Sequence, residues 1–260
     1  MALHTVESGT QGAPSILYLH GAGTGSWMWQ ELTENLPEFH NINVDLPGQS
    51  HSNHRHWKSL ADTANQLADI IRERATNGRA HVVGLSLGGY TALELIIQVP
   101  ELVDHAIVSG VTVTPLSGSF FTFLSLRLTT RMMRERWFAN AQARYVMRLP
   151  AEIATLYTDS VMMMSTETYR AITDEVFHYR LPDEALARSS VPLLVTAGGA
   201  EMSAIKDSVR YIPSVMPTAK GVIARGLHHG WNGEDPELFT AMVRAWITDT
   251  PLPEKLQTQI

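Results

Sequence analysis

The chain has 260 residues, of which 44% are hydrophobic and 18% charged, with a formal net charge of -6 and no cysteine. That balance belongs to ordinary soluble globular proteins and leaves room for one sizeable core. It excludes disulfides, thiolate metal sites and a cysteine nucleophile, and it offers no basic field to attract nucleic acid or anionic lipid.

Residues 1–7 lack the basic run and apolar stretch of a targeting signal, and no segment offers eighteen uninterrupted apolar residues. A cytoplasmic chain without a membrane span is expected. Residues 16–19 form a short apolar run ending at His20-Gly21-Ala22-Gly23, and residues 42–44 form a second ending at Asp45-Leu46-Pro47-Gly48. Both predict buried strands that stop in turns, and Pro47 and Gly48 make the second turn mainly structural. His51, His54 and His56 follow in a polar loop that supplies no acidic or thiol companion, so no metal site is expected there.

Leu60, Ala64, Leu67, Ala68 and Ile71 recur at helical spacing and predict a helix over 60–75. The next apolar run, 81–84, leads into Gly84-Leu85-Ser86-Leu87-Gly88, and 87–98 again has helical period. Runs at 106–108, 192–196 and 221–224 predict further strands, and 236–247 a last helix. Short apolar strands alternating with helices imply a mostly parallel sheet covered on both faces. Residues 114–182 break the rhythm and carry Met132, Met133, Met147, Met162, Met163 and Met164, besides Phe120, Phe121 and Phe123. They read as a helical cap inserted into a core made of 1–113 and 183–260, with apolar residues suited to a pocket wall.

A Gly-x-Ser-x-Gly pattern alone is a weak signal. Between a strand and a helix it becomes a sharp turn that lifts the serine hydroxyl off the sheet edge, with the helix amino terminus beside any oxyanion that forms. Ser86 is the expected nucleophile. With this elbow, the His20-Gly21-Ala22-Gly23 turn, the Asp45-Leu46-Pro47-Gly48 turn and the late Gly226-Leu227-His228-His229-Gly230-Trp231 loop in order, the sequence resembles the α/β-hydrolase superfamily, in its capped esterase-like branch.

The resemblance implies an α/β-hydrolase fold and a chain order of serine, acid, histidine. It puts the base in the late loop at His229, with His228 as the competing choice. It puts the acid at Glu201, where most of the superfamily has aspartate, with Asp207 in reserve. The oxyanion would be held by the backbone N–H groups of Leu87 and, from the first-strand turn, Ala22, with His20 supporting that turn. Trp27, Met132, Met163 and Trp231 are expected around the substrate pocket. The implied reaction is hydrolysis of a small, largely apolar carboxylic ester, lactone or thioester through an acyl-serine, with a small-molecule substrate and neither cofactor nor metal. The same triad serves carbon–carbon bond hydrolases, perhydrolases and hydroxynitrile lyases, and the fold can serve as a non-catalytic receptor. Dehalogenases and epoxide hydrolases need aspartate at the elbow, and Ser86 argues against both.

Overall fold

Five-residue segments such as Ser15-Ile-Leu-Tyr-Leu19, buried at every position, cannot face water on either side and are satisfied only inside a sheet with helices on both faces. The computed structural model describes residues 2–113, 132, 135–146, 149 and 151–259 and contains eight strands: β1 Thr5–Gly9, β2 Ser15–Leu19, β3 His40–Val44, β4 Ala80–Leu85, β5 Val103–Ser109, β6 Leu193–Gly198, β7 Ala219–Ala224 and β8 Leu256–Gln259. They form one sheet in the order β1-β3-β2-β4-β5-β6-β7-β8. The six inner strands are parallel, while β1 and β8 are antiparallel edges. Every inner strand had its counterpart among the predicted runs.

Among the described residues the α-helices include α1 Gln30–Glu34, α2 Leu60–Arg74, α3 Leu87–Gln98, α4 Arg136–Ala141, α5 Ala151–Met163, α6 Thr166–His178, α7 Asp183–Ala187, α8 Ser203–Val215, α9 Trp231–Glu234 and α10 Pro236–Ile247. Alternate residues of each strand point to opposite faces. Leu17 and Leu19 therefore join a core with α2, α3 and α8, while Ile16 and Tyr18 join a second core with Trp29 and α10. Among the described residues, no helix is long and apolar enough to cross a membrane.

Helices α4 to α7 lie between β5 and β6, the place of the expected insertion. They carry a small core of their own: Ala139, Ala143, Ala154, Tyr157 and Val161, with Trp27 packed against it. Polar clasps tie this layer to the body. The Trp27 indole donates to Ser160 Oγ at 2.9 Å, and Glu175 of α6 accepts from the Trp57 indole at 3.0 Å and from the Leu60 N–H at 2.8 Å, so it also caps the start of α2. Phe120, Phe121, Phe123, Met133 and Met147 lie outside the described residues.

Candidate active site

The carboxyl ends of parallel strands open into a crevice, where connections leave the sheet for the helices. Strand β4 ends at Leu85, and Ser86 turns the chain into α3 with φ 54° and ψ -116°. A non-glycine residue at positive φ is strained and persists only where its surroundings hold it. Here the Ser86 N–H donates to Ser109 O at 2.8 Å and its carbonyl accepts from Tyr90 N–H at 3.1 Å. The flanking glycines are needed for space. A Cβ at Gly84 would lie 2.3 Å from Gly88 O, and one at Gly88 2.0 Å from Leu19 O. The serine is half-buried and lines a cavity of about 370 Å³.

His229 lines the same cavity. Its Nδ1 is 2.6 Å from Glu201 Oε2, and the Glu201 side chain is 2% exposed. The other carboxylate oxygen accepts the Gly198 N–H at 3.0 Å. A carboxylate can only accept, so Nδ1 carries a ring proton, and in the neutral ring Nε2 is the nitrogen with the free lone pair. The Ala200 N–H donates to Leu227 O at 2.9 Å, which stitches the acid loop to the histidine loop. His228 faces elsewhere: its N–H and Nδ1 both meet the Glu234 carboxylate, at 3.0 and 2.9 Å. Asp207 sits on the outer surface of α8, 3.4 Å from Arg210.

The turn after β2 is built around a buried histidine. His20 Nδ1–H donates to Gly21 O at 2.8 Å, and Nε2 accepts the Leu46 N–H at 2.9 Å. Burial pushes this imidazole below its ordinary pKa, which keeps it neutral and in one tautomer, with Asp45 opposing the shift. Gly88 N–H donates to His20 O at 3.1 Å and so ties the turn to the start of α3. The Gly23 N–H is held by Gln49 Oε1 at 2.8 Å. Ala22 is exposed to the cavity beside Ser86, and Leu87, as the first residue of α3, has no intrahelical partner for its N–H.

The remaining walls separate by chemistry. Trp27, Met28, Leu32, Leu85, Leu149, Ile153 and Leu156 form the apolar part, and Gln30, Glu31, Glu34 and Asn232 the polar part. Of the residues expected at the pocket, Trp27 is there. Trp231 is not: it is fully buried against Phe239 in the second core, with its indole N–H on Ser109 Oγ at 3.1 Å. A ring that large, next to the helix packed under β5, is worth more as core than as rim. Met163 lies at the end of α5 with 41% of its surface exposed and does not line the cavity, nor does the half-buried Met132. Sequence reasoning missed Gln49, whose fully buried amide belongs to the turn after Gly48, and the α5 face formed by Ile153 and Leu156.

Asp45 is more than a turn former. Its Oδ1 accepts the Ser26 N–H at 2.6 Å, and its Oδ2 meets His51 N–H at 3.2 Å and the Nδ1 atoms of His4 and His51 at 3.0 and 3.1 Å. Burial raises this carboxyl, but the hydrogen bonds from the Ser26 and His51 N–H groups work against it, and the net pKa is lowered. The expectation that His51 has no acidic companion is therefore overturned, because the fold delivers Asp45 from the end of β3.

The profile of the alpha/beta hydrolase family matches residues 16–242. The chain belongs to that family. Among its curated relatives, an AB hydrolase superfamily protein of Gibberella zeae is 30% identical over 255 residues, covering 95% of this chain and 85% of the relative. An esterase of Mycobacterium tuberculosis is 36% identical over 134 residues, 50% of this chain and 44% of its own. In structure, this alpha/beta hydrolase resembles the enol-lactonase of Burkholderia xenovorans, with a TM-score of 0.80 at 20% identity over 95% of this chain and 96% of that one. It also resembles a thermophilic esterase of Thermogutta terrifontis, with a TM-score of 0.77 at 21% identity over 95% of this chain and 93% of that one. At such identities the structural likeness speaks for the fold, while the sequence relatives include a protein named as an esterase.

Proposed function

We propose that this protein is a serine hydrolase that cleaves a small, largely apolar carboxylic ester, or a related lactone or thioester, through an acyl-serine intermediate. One observation carries the reading: the strained Ser86 and the His229 imidazole, its Nδ1 2.6 Å from buried Glu201, open onto the same cavity. In this mechanism His229 Nε2 takes the Ser86 hydroxyl proton as Oγ bonds to the substrate carbonyl carbon. Glu201 keeps the ring in the tautomer that can do so and offsets the positive charge that develops. The N–H groups of Ala22 and Leu87 receive the oxyanion, and the imidazolium then protonates the leaving alcohol as the carbon–oxygen bond breaks. Water activated by the same imidazole releases the acid and restores Ser86.

The apolar walls at Trp27, Met28, Leu32, Leu149, Ile153 and Leu156 support an apolar acyl or alcohol group, and about 370 Å³ is room for one of modest size. The test is turnover of short p-nitrophenyl esters by wild type and Ser86→Ala. The wild type is expected to turn over many times with an acyl-enzyme detectable by mass at Ser86, and the variant to lose at least 10³-fold in kcat. A variant that keeps its rate refutes the nucleophile. A wild type that binds such esters without multiple turnover refutes the enzyme reading in favour of a receptor.

A further inference from the structure

The His4, Asp45 and His51 side chains come from three separate places: the residue before β1, the end of β3 and the turn beyond Gly48. One donor atom of each lies within 4.8 Å of the others. None of the three lines the cavity beside Ser86. From this juxtaposition we propose that His4, Asp45 and His51 form a binding site for a divalent transition-metal cation of the zinc class, separate from the hydrolase centre.

The donor set is the first argument. Two imidazoles and one carboxylate suit zinc and its neighbours, whereas calcium and magnesium prefer all-oxygen shells. The spacing is the second. Donor atoms about 2.1 Å from one ion stand about 3.0 to 3.4 Å apart around an octahedral or tetrahedral shell. Asp45 Oδ2 already lies 3.0 Å from His4 Nδ1 and 3.1 Å from His51 Nδ1, so both carboxylate–imidazole separations are in that range and the rings need only turn toward a shared ion.

Preorganisation is the third. His4 is fixed by its N–H on Ser52 Oγ at 2.9 Å and by its carbonyl, which accepts the Asp45 N–H at 3.0 Å. The carboxylate is fully buried and aimed by the Ser26 and His51 N–H groups, the kind of outer support that holds metal ligands in place. Exposure completes the case. The side chains of His4 and His51 are 38% and 65% exposed, so an ion can enter and keep water on its open positions. Each ring at present gives its Nδ1 proton to Oδ2. On binding, the ion takes the Nδ1 position and the ring carries its proton on Nε2 instead.

Such a cation would staple β1 to the turn after β3, and through Asp45 Oδ1 to Ser26 at the end of the loop that carries Ala22. Zinc chloride titrated calorimetrically into the metal-free full-length protein, with thermal unfolding in parallel, tests the site. One Zn²⁺ per chain is expected, with Tm raised by about 5 °C at a hundredfold excess over Kd. His4→Ala and His51→Ala are each expected to weaken binding at least tenfold, while His54→Ala and His228→Ala leave it unchanged. The histidine variants leave the buried Asp45 in place, so a folding failure at that residue does not enter the test. Binding that survives in both His4→Ala and His51→Ala, or no binding below millimolar Zn²⁺, overturns the assignment.

Discussion

Gly110 follows β5 at φ +70°, and a Cβ built there would lie 2.7 Å from His229 Cε1 and 2.9 Å from Nδ1. Ordinary carbon contacts begin near 3.4 Å, so Gly110→Ala requires the imidazole to retreat by about 0.7 Å. The ring cannot retreat freely, because Nδ1 is bound at 2.6 Å to a carboxylate that is itself buried and bonded to Gly198. Either that bond stretches or the ring turns within the cavity that it shares with Ser86. Misplacement on the order of 1 Å costs up to about 10²-fold in rate, so kcat/KM is expected to fall roughly 10- to 100-fold. A side chain at positive φ adds a stability loss of about 1–2 kcal/mol. Gly78→Ala separates the two effects: Gly78 also has positive φ, +66°, but nothing stands within 4 Å of its added Cβ. Initial rates on a p-nitrophenyl ester and thermal unfolding of both variants are the assay. If Gly110→Ala loses the same stability as Gly78→Ala yet keeps kcat/KM within threefold of wild type, His229 is not the base.

Glu201→Gln preserves shape but can donate to Nδ1 and so select the wrong tautomer; kcat is expected to drop about 10³- to 10⁴-fold with KM little changed, and a loss under tenfold in steady-state assays would dismiss Glu201 as the acid. His81, packed in the sheet 5.1 Å from the His105 ring, has its pKa lowered to about 4, first by burial and then by His105. The unfolded chain therefore takes up a proton between about pH 6.5 and 4 that the folded chain refuses, so stability falls across that window as pH falls, by about 3 kcal/mol at its lower end. His81→Leu is expected to flatten that slope in denaturant titrations run at several pH values, and parallel slopes for the two proteins would refute it. Glu175→Ala strands the Trp57 and Leu60 N–H groups and is expected to cost about 2 kcal/mol, or about 5 °C in Tm, while a shift under 1 °C would mean that the clasp contributes nothing.

What was legible in the sequence follows from where each signal is stored. The inner strands β2, β4 and β6 are largely apolar on both faces, and residue type alone reveals them, whereas β3, β5 and β7 carry polar or charged residues beside shorter apolar stretches. The edge strands β1 and β8, Thr-Val-Glu-Ser-Gly and Leu-Gln-Thr-Gln, are polar, and their pairing partners lie in distant parts of the chain, so nothing local marks them. The elbow could be read because glycine is the only residue that fits on either side of Ser86, a steric demand that leaves a trace in the letters. Glu201 and His229 were reached through resemblance instead. Nothing in Ala-Gly-Gly-Ala-Glu announces that its carboxylate will meet an imidazole 28 positions later. Trp231 and Met163 show the limit of placing side chains by composition, since an indole serves a core or a rim equally well until its neighbours are known. Asp45 was hidden in the same way, its partners at 4, 26 and 51 being scattered along the chain.

The fastening at Trp27 and Glu175 has a consequence for how such a protein can change its diet. Because the helical layer is bolted on through donors that belong to the body, Ile153 and Leu156 can be exchanged for larger, smaller or more polar residues without loosening the bolts. New preferences for acyl or alcohol groups can therefore accumulate on one turn of one helix while the machinery beneath it stays as it is.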